Sequence, residues 1–329
     1  MESEARSVSR AYDLNGVTLA IAAATEQQAA FLDPILAPLR CQVPPAPDWI
    51  ASISTTEMIE PPSSGARIFE GPLPEGLFSI MVEDGDERIL VVPGHFAMRF
   101  RRSIRTVEID VVPGKEAELG GTAAFWMIDD LLPVHGRHLL HGAMLVDPVT
   151  ERSIAVFAPS GTGKTTTALA LARAGLGLAG DDALVLDASK GGFGLWAIPR
   201  KIKVHRRTAA LLPWLAPILS DRWSQDEQAF DLQTLSTLIP LASPRQRKVE
   251  LVIALAPPND TGHAITAIPK PEALAAVVCD NLRIAPNGVD RDNAAAFAAL
   301  AGFIAATNVV SLSVGPDPGT LSRALVGLT

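Results

Sequence analysis

Residues 158–166 read Ala-Pro-Ser-Gly-Thr-Gly-Lys-Thr-Thr, and residues 179–182 read Ala-Gly-Asp-Asp. The run before the first stretch, Arg152-Ser-Ile-Ala-Val-Phe157, is apolar and β-prone. The run that follows, Thr165-Thr-Thr-Ala-Leu-Ala-Leu-Ala172, suits a helix. Strand, glycine loop and helix in that order are the context a phosphate-binding loop requires. Glycines let the backbone wrap a polyphosphate, so that loop amides and the helix N-terminus face the anion. In this reading Ser160, Gly161, Thr162, Gly163 and Thr166 form the cradle. Lys164 sets a positive charge on the β- and γ-phosphates, and the Thr165 hydroxyl ligates Mg²⁺. One position departs from G-x-x-x-x-G-K-[ST]: Ala158 stands where the first glycine is usual.

Asp181 and Asp182 follow Lys164 by seventeen and eighteen residues, beyond the expected helix and at the start of Ala183-Leu-Val-Leu-Asp187. Side chains alternate along a strand, so adjacent carboxylates point to opposite sides. Beside a magnesium nucleotide, one carboxylate can hold the metal while its neighbour faces a second substrate. A solvated turn before a strand has the same composition; the loop upstream favours functional carboxylates.

Ser160-Gly-Thr-Gly-Lys-Thr-Thr166 with Gly180-Asp-Asp182 resembles the loop group shared by phosphoenolpyruvate carboxykinase and HPr kinase/phosphorylase. Leu139-Leu-His-Gly-Ala-Met-Leu-Val146 is similar to the His-Gly segment of the HPr kinase branch, and Arg247-Lys-Val-Glu-Leu-Val-Ile-Ala-Leu-Ala256 to its basic-then-apolar strand. The similarity runs from about Trp126 to the C-terminus. It implies an α/β fold in which a central sheet flanked by helices forms an HPr-kinase-like nucleotide-binding core over residues 126–329. It also implies an ATP-dependent kinase with Mg²⁺ as cofactor. His141 and Asp181 would handle the acceptor proton, Asp182 and Thr165 would hold the metal, and Lys164 and Arg247 would contact phosphates.

The implied acceptor is a serine hydroxyl on a protein or peptide. Such kinases occur beside ribosomal natural-product genes, including lasso-peptide clusters. A small-molecule kinase and a non-catalytic ATP sensor remain open as alternatives. The family's further Glu, in an Arg-Gly-Leu-Gly signature, has no counterpart in Leu195-Trp-Ala-Ile-Pro-Arg-Lys-Ile-Lys-Val-His205, which counts against phosphorylase activity. Relatives assemble as hexamers, so a homo-oligomer is open too.

The 329 residues are enough for one or two domains, and 48% are apolar, inside the globular range. A net charge of −8 argues against nonspecific nucleic-acid and membrane-surface binding. Cys41 and Cys279 form no metal or redox pattern, and acidic residues flank the short apolar run Val17–Ala24, so a cytoplasmic chain is expected. Residues 1–125 read as a smaller α+β domain. It has a strand at Val17–Ala24, a helix over Thr25–Leu39 interrupted near Pro34, and an antiparallel sheet from Leu77–Val82, Arg88–Val92 and Arg105–Val112. From Trp126 onward helices and strands alternate. Helices are expected over Phe125–Leu132, Glu272–Asn281 and Arg291–Ala306, strands over Leu139–Val146, Val249–Leu255 and Val309–Val314, and a terminal helix last. Most of the basic residues in Arg200–Arg207 and Arg245–Lys248 read as a solvated edge, Arg247 excepted.

Overall fold

The computed structural model describes residues 8–62, 64–73, 76–189, 191–282 and 291–321. It is a mixed α/β protein with several sheets, and the chain divides into two compact units. One comprises Met1–His135 with Ile284–Asp292, the other Gly136–Arg283 with Asn293–Thr329.

A nine-stranded sheet dominates the first unit. In spatial order its strands are Arg40–Cys41, Val8–Asp13, Thr18–Ala23, Trp49–Thr55, Thr106–Val111, Phe96–Arg101, Glu87–Val92, Phe78–Asp84 and Ala66–Pro72. Most neighbours are antiparallel, as the Asp84-Gly-Asp and Pro93-Gly turns predict. The sheet is not wholly antiparallel, however. Trp49–Thr55 runs parallel to both Thr18–Ala23 and Thr106–Val111, each joined by a longer connection rather than a hairpin. The expected Thr25–Leu39 helix is two short helices, Glu26–Ala29 and Asp33–Leu36, and a 3₁₀ turn over Ala37–Leu39. Each α-helix is a single turn, because Pro34 and Pro38 withhold backbone donors. The helix expected at Phe125–Leu132 runs Thr122–Leu131 and belongs to this unit rather than heading the next.

The second unit is built on a six-stranded sheet ordered Gly177–Asp181, Ala143–Val146, Ser153–Phe157, Val249–Ala256, Asn308–Ser313 and Ala264–Ala267. Ser153–Phe157, Val249–Ala256 and Asn308–Ser313 are mutually parallel; the flanking strands are antiparallel. Ser153–Phe157 is buried along its whole length. Ile154 and Val156 pack on one face with Ala168–Ala172 of helix Lys164–Arg173. Ala155 and Phe157 pack on the other with Leu300, Phe303 and Ile304 of helix Arg291–Ala306. Burial on both faces explains why this strand reads as an unbroken apolar run instead of an alternation. Among the described residues no helix is long and apolar enough to cross a membrane. The expected terminal helix lies, beyond Leu321, outside the described residues.

Leu139–Val146, expected as one strand, is two. Arg137–Leu140 joins Leu184–Asp187 and Gly194–Ala197 in a separate three-stranded sheet, while Ala143–Val146 joins the six-stranded one. The chain changes sheets at His141-Gly142 because the backbone there runs against Phe157 and Leu184. A Cβ on Gly142 would stand 2.7 Å from the Phe157 ring and 2.9 Å from Leu184 Cδ1. The switch leaves His141 outside both strands, at the end of the sheet where the glycine loop emerges.

Candidate active site

The loop leaves Phe157 and enters helix Lys164–Arg173 through two glycines in the left-handed region, Gly161 at φ 78° and Gly163 at φ 103°. A Cβ would meet nothing within 4 Å at either position, so backbone conformation, not space, selects glycine here. Ala158 needs no such freedom. It is buried and packs its methyl into the core cluster with Val156 and Leu169, so a side chain is useful where the usual motif has none.

The Thr162 hydroxyl turns back to the Pro159 carbonyl at 2.6 Å and closes the loop on itself. Helix bonding begins with the Thr167 N–H donating to Gly163 O, which leaves the preceding helix-start amides without intrahelical acceptors. The Thr166 hydroxyl faces away, toward the Thr208 hydroxyl at 2.9 Å. Of the helix's first three side chains, Lys164 and Thr165 therefore serve the loop and Thr166 anchors the helix to its neighbour.

Asp181 ends strand Gly177–Asp181, and Asp182 follows in the left-handed region at φ 74°. The two residues do not lie in one strand, so simple alternation does not set their directions. The left-handed turn at Asp182 does. Asp181 is buried, and its Oδ2 accepts from the Thr165 hydroxyl at 2.6 Å. Its Oδ1 is buried with no hydrogen-bond partner. Burial, with the Asp182 charge adding to it, pushes the Asp181 carboxyl up; the Thr165 bond and Lys164 oppose the shift.

The Asp182 side chain stays 37% exposed, with Oδ1 2.6 Å from His141 Nε2 and Oδ2 2.6 Å from the Arg200 guanidinium. Burial would raise its pKa, but the His141 hydrogen bond and the charges of Arg200, His141 and Lys164 hold it well below the usual carboxylate range. Burial and the charge of Lys164 lower the His141 pKa; the Asp182 hydrogen bond and the charges of Asp182 and Asp280 together outweigh them, and the net shift is upward. Lys164 is shifted down by burial, against the pull of Asp181, Asp182 and Asp280.

Two residues that the motifs gave no sign of complete the cluster. Asp280, near the end of helix Lys270–Asn281, contacts His141 Nδ1, accepts from the Ser160 N–H at 3.3 Å, and lies 4.0 Å from Lys164 Nζ. Asn281 accepts from the His141 backbone N–H at 2.6 Å and donates to Val277 O at 2.8 Å. Nothing local in Cys279-Asp-Asn281 marks these side chains; only the packing of a distant helix brings them to the loop. Arg200 was legible only as one of several basic residues.

Arg247 is placed elsewhere. It precedes strand Val249–Ala256, whose first residue pairs with Ser153, whereas the loop leaves the far end of the parallel Ser153–Phe157 strand. Five residues at about 3.3 Å each separate the two ends by roughly 15 Å. There Arg247 meets Glu151 at 2.7 Å and exchanges backbone hydrogen bonds with Leu195. The basic-then-apolar pattern is present, but the arginine lies at the wrong end of the strand to reach the loop.

The buried, unpartnered Asp181 Oδ1 beside the Thr165 hydroxyl fits a divalent cation. No group of three His, Cys, Asp or Glu among the described residues could hold a metal. No protein-family model matches this chain, and no curated protein matches it. Among solved structures it is similar to the Hpr(Ser) kinase/phosphatase from Coxiella burnetii, at 15% identity and a TM-score of 0.30, over 57% of this chain and 93% of that one. A superposition that weak supports no statement about this chain's activity.

Proposed function

We propose that this protein is an ATP-dependent kinase that transfers the γ-phosphoryl group to a hydroxyl, with serine of a protein or peptide as acceptor. The observation that carries the reading is the Thr165–Asp181 contact with its orphaned carboxylate oxygen, at the head of a glycine loop and one residue from the His141–Asp182 pair. Loop amides and Lys164 hold the phosphates. Thr165 Oγ1 and Asp181 hold Mg²⁺, which when bound offsets charge on the phosphate oxygens.

Asp182, the exposed member of the pair, receives the acceptor hydroxyl and its proton, and His141 fixes the carboxylate's direction. This exchanges the roles that the family resemblance implies for the two aspartates. Asp182 is a weak base with its pKa so depressed. In-line phosphoryl transfer with a loose transition state asks for positioning and charge compensation more than for strong proton abstraction.

The test is intact-mass spectrometry of candidate acceptors after incubation with the protein and Mg-ATP, including peptides encoded beside its gene. Lys164→Ala, Asp181→Asn and Asp182→Asn serve as controls. A phosphate adduct with the unmodified protein alone supports the reading. Nucleotide binding without any adduct favours a sensor, and failure to bind nucleotide removes the reading altogether.

A further inference from the structure

We infer that Asp280 is an internal competitor for the phosphate loop: its carboxylate occupies the position of a terminal phosphoryl group until the nucleotide displaces it. The inference rests on the loop reading above and assigns a residue which that reading leaves unexplained.

Two groups that the loop reading directs at phosphate, and the His141 imidazole beside them, converge on this one side chain. The Ser160 N–H at the mouth of the loop donates to Oδ1 at 3.3 Å. Oδ2 contacts His141 Nδ1 and stands 4.0 Å from Lys164 Nζ. A backbone amide, an ammonium and an imidazole around two oxygens make an anion site, and Asp280 supplies the anion from within the chain.

The side chain is mostly buried but keeps 19% of its surface exposed, so an incoming ligand can reach it. It also sits in the last turn of helix Lys270–Asn281, where the helix dipole presents its negative end. An incoming polyphosphate therefore meets a fixed carboxylate and a negative helix end at the place where the loop offers donors. Both cannot share that place. Like charges brought that close repel strongly even at an effective dielectric near 20. Nucleotide entry must break the Ser160 and Lys164 contacts of Asp280.

A structural clasp would behave in the opposite way. If Asp280 served only to hold His141 and the loop in place, losing its charge would loosen the site and weaken nucleotide binding. Calorimetric titration of Mg-ATP into the full chain distinguishes the two. The proteins are the unmodified chain, Asp280→Asn, Asp280→Ala and the control Glu57→Gln, an equal change of charge at an exposed position in the first unit.

Asp280→Asn keeps the shape and should bind Mg-ATP at least tenfold more tightly; Asp280→Ala should do the same, and Glu57→Gln should leave the dissociation constant unchanged. Melting curves without nucleotide confirm that each variant is folded. Unchanged or weaker binding in both folded Asp280 variants overturns the inference while leaving the loop reading intact. Absence of binding in all four proteins overturns both, whereas binding that appears only when Asp280 is replaced supports both.

Discussion

Gly180→Ala tests the packing that sets the aspartate pair. Gly180 lies in strand Gly177–Asp181 opposite Met144, and a Cβ there would stand 2.5 Å from the Ala197 Cβ. Carbon atoms pack at about 3.5–4.0 Å, so the two strands must separate by roughly 1–1.5 Å. Neither side chain can relieve the clash, because no rotation moves a Cβ. Both backbones are also tied into sheets, Ala197 by its pairing with Leu184. Overpacking of this kind costs about 1–3 kcal/mol, offset by about 0.4–1 kcal/mol from a less flexible unfolded chain. Taking the middle of those ranges, a net cost of about 1–2 kcal/mol, and about 2–4 °C per kcal/mol for a unit of this size, the melting temperature should fall by roughly 2–8 °C. Asp181 is the next residue, so nucleotide affinity should fall with it.

The assay is differential scanning calorimetry of Gly180→Ala, Ala197→Gly and the double variant. Ala197→Gly returns the missing space, so the double variant should be more stable than the sum of the single effects by about 1 kcal/mol or more. Additive effects, or a Gly180→Ala protein that melts with the unmodified chain, would refute the claim that close approach of two sheets dictates glycine in Gly-Asp-Asp.

Thr165→Val and Asp181→Asn should each abolish the increase in nucleotide affinity that Mg²⁺ confers while leaving metal-free binding within about threefold; calorimetry with and without EDTA reads this, and a retained Mg²⁺ effect would move the metal elsewhere. Arg247→Gln should leave the Mg-ATP dissociation constant within about twofold, because Arg247 lies at the end of the parallel strands away from the loop, roughly 15 Å from it. A tenfold loss would restore Arg247 to the site.

In the first unit, burial raises the Asp33 pKa, but hydrogen bonds from Arg40 and Tyr12 and the charge of Arg10 outweigh it and the net shift is downward. Stability from a lowered carboxyl is present above its unfolded value of about 3.9 and is lost as pH falls through the folded value. Asp33→Asn should therefore melt lower than the unmodified chain at pH 7, with the gap closing below about pH 4; a gap independent of pH would mean that the ion cluster is not its source.

The loop, its strand and its helix were legible because their signals are local: a buried apolar run, two glycines before Lys-Thr, and an alanine-leucine helix. Helix Arg291–Ala306 was legible for the same reason. What sequence reading missed depends on contacts distant in the chain. Leu139–Val146 is β-prone apart from Gly142, and that glycine marks a bend without saying that the chain changes sheets; the break comes from Phe157 and Leu184 crowding it. The parallel placement of Trp49–Thr55 pairs it with residues more than fifty positions away, which no turn signal encodes. Arg247 has the expected neighbours in sequence and enters the sheet at the other end. Asp280 reaches the loop from a helix 120 residues after Ser160.

The division of labour proposed for Asp181 and Asp182 rests on where charge is already compensated. Asp182 is surrounded by cations: His141 and Arg200 in contact, and Lys164 near enough to lower its pKa. Adding a divalent metal there would crowd like charges together. Asp181 has a neutral hydroxyl on one oxygen and no hydrogen-bond partner on the other, with only the charges of Lys164 and His141 nearby to offset its own, in a fully buried position. A buried carboxylate left in that state either takes up a proton or takes up a cation, since an unpaired charge away from water is costly. A metal at Asp181 removes that penalty and leaves Asp182, partly open to solvent, to meet an acceptor by exchanging its His141 or Arg200 contact. The opposite assignment leaves the penalty in place and sends the acceptor toward a carboxylate that it cannot reach.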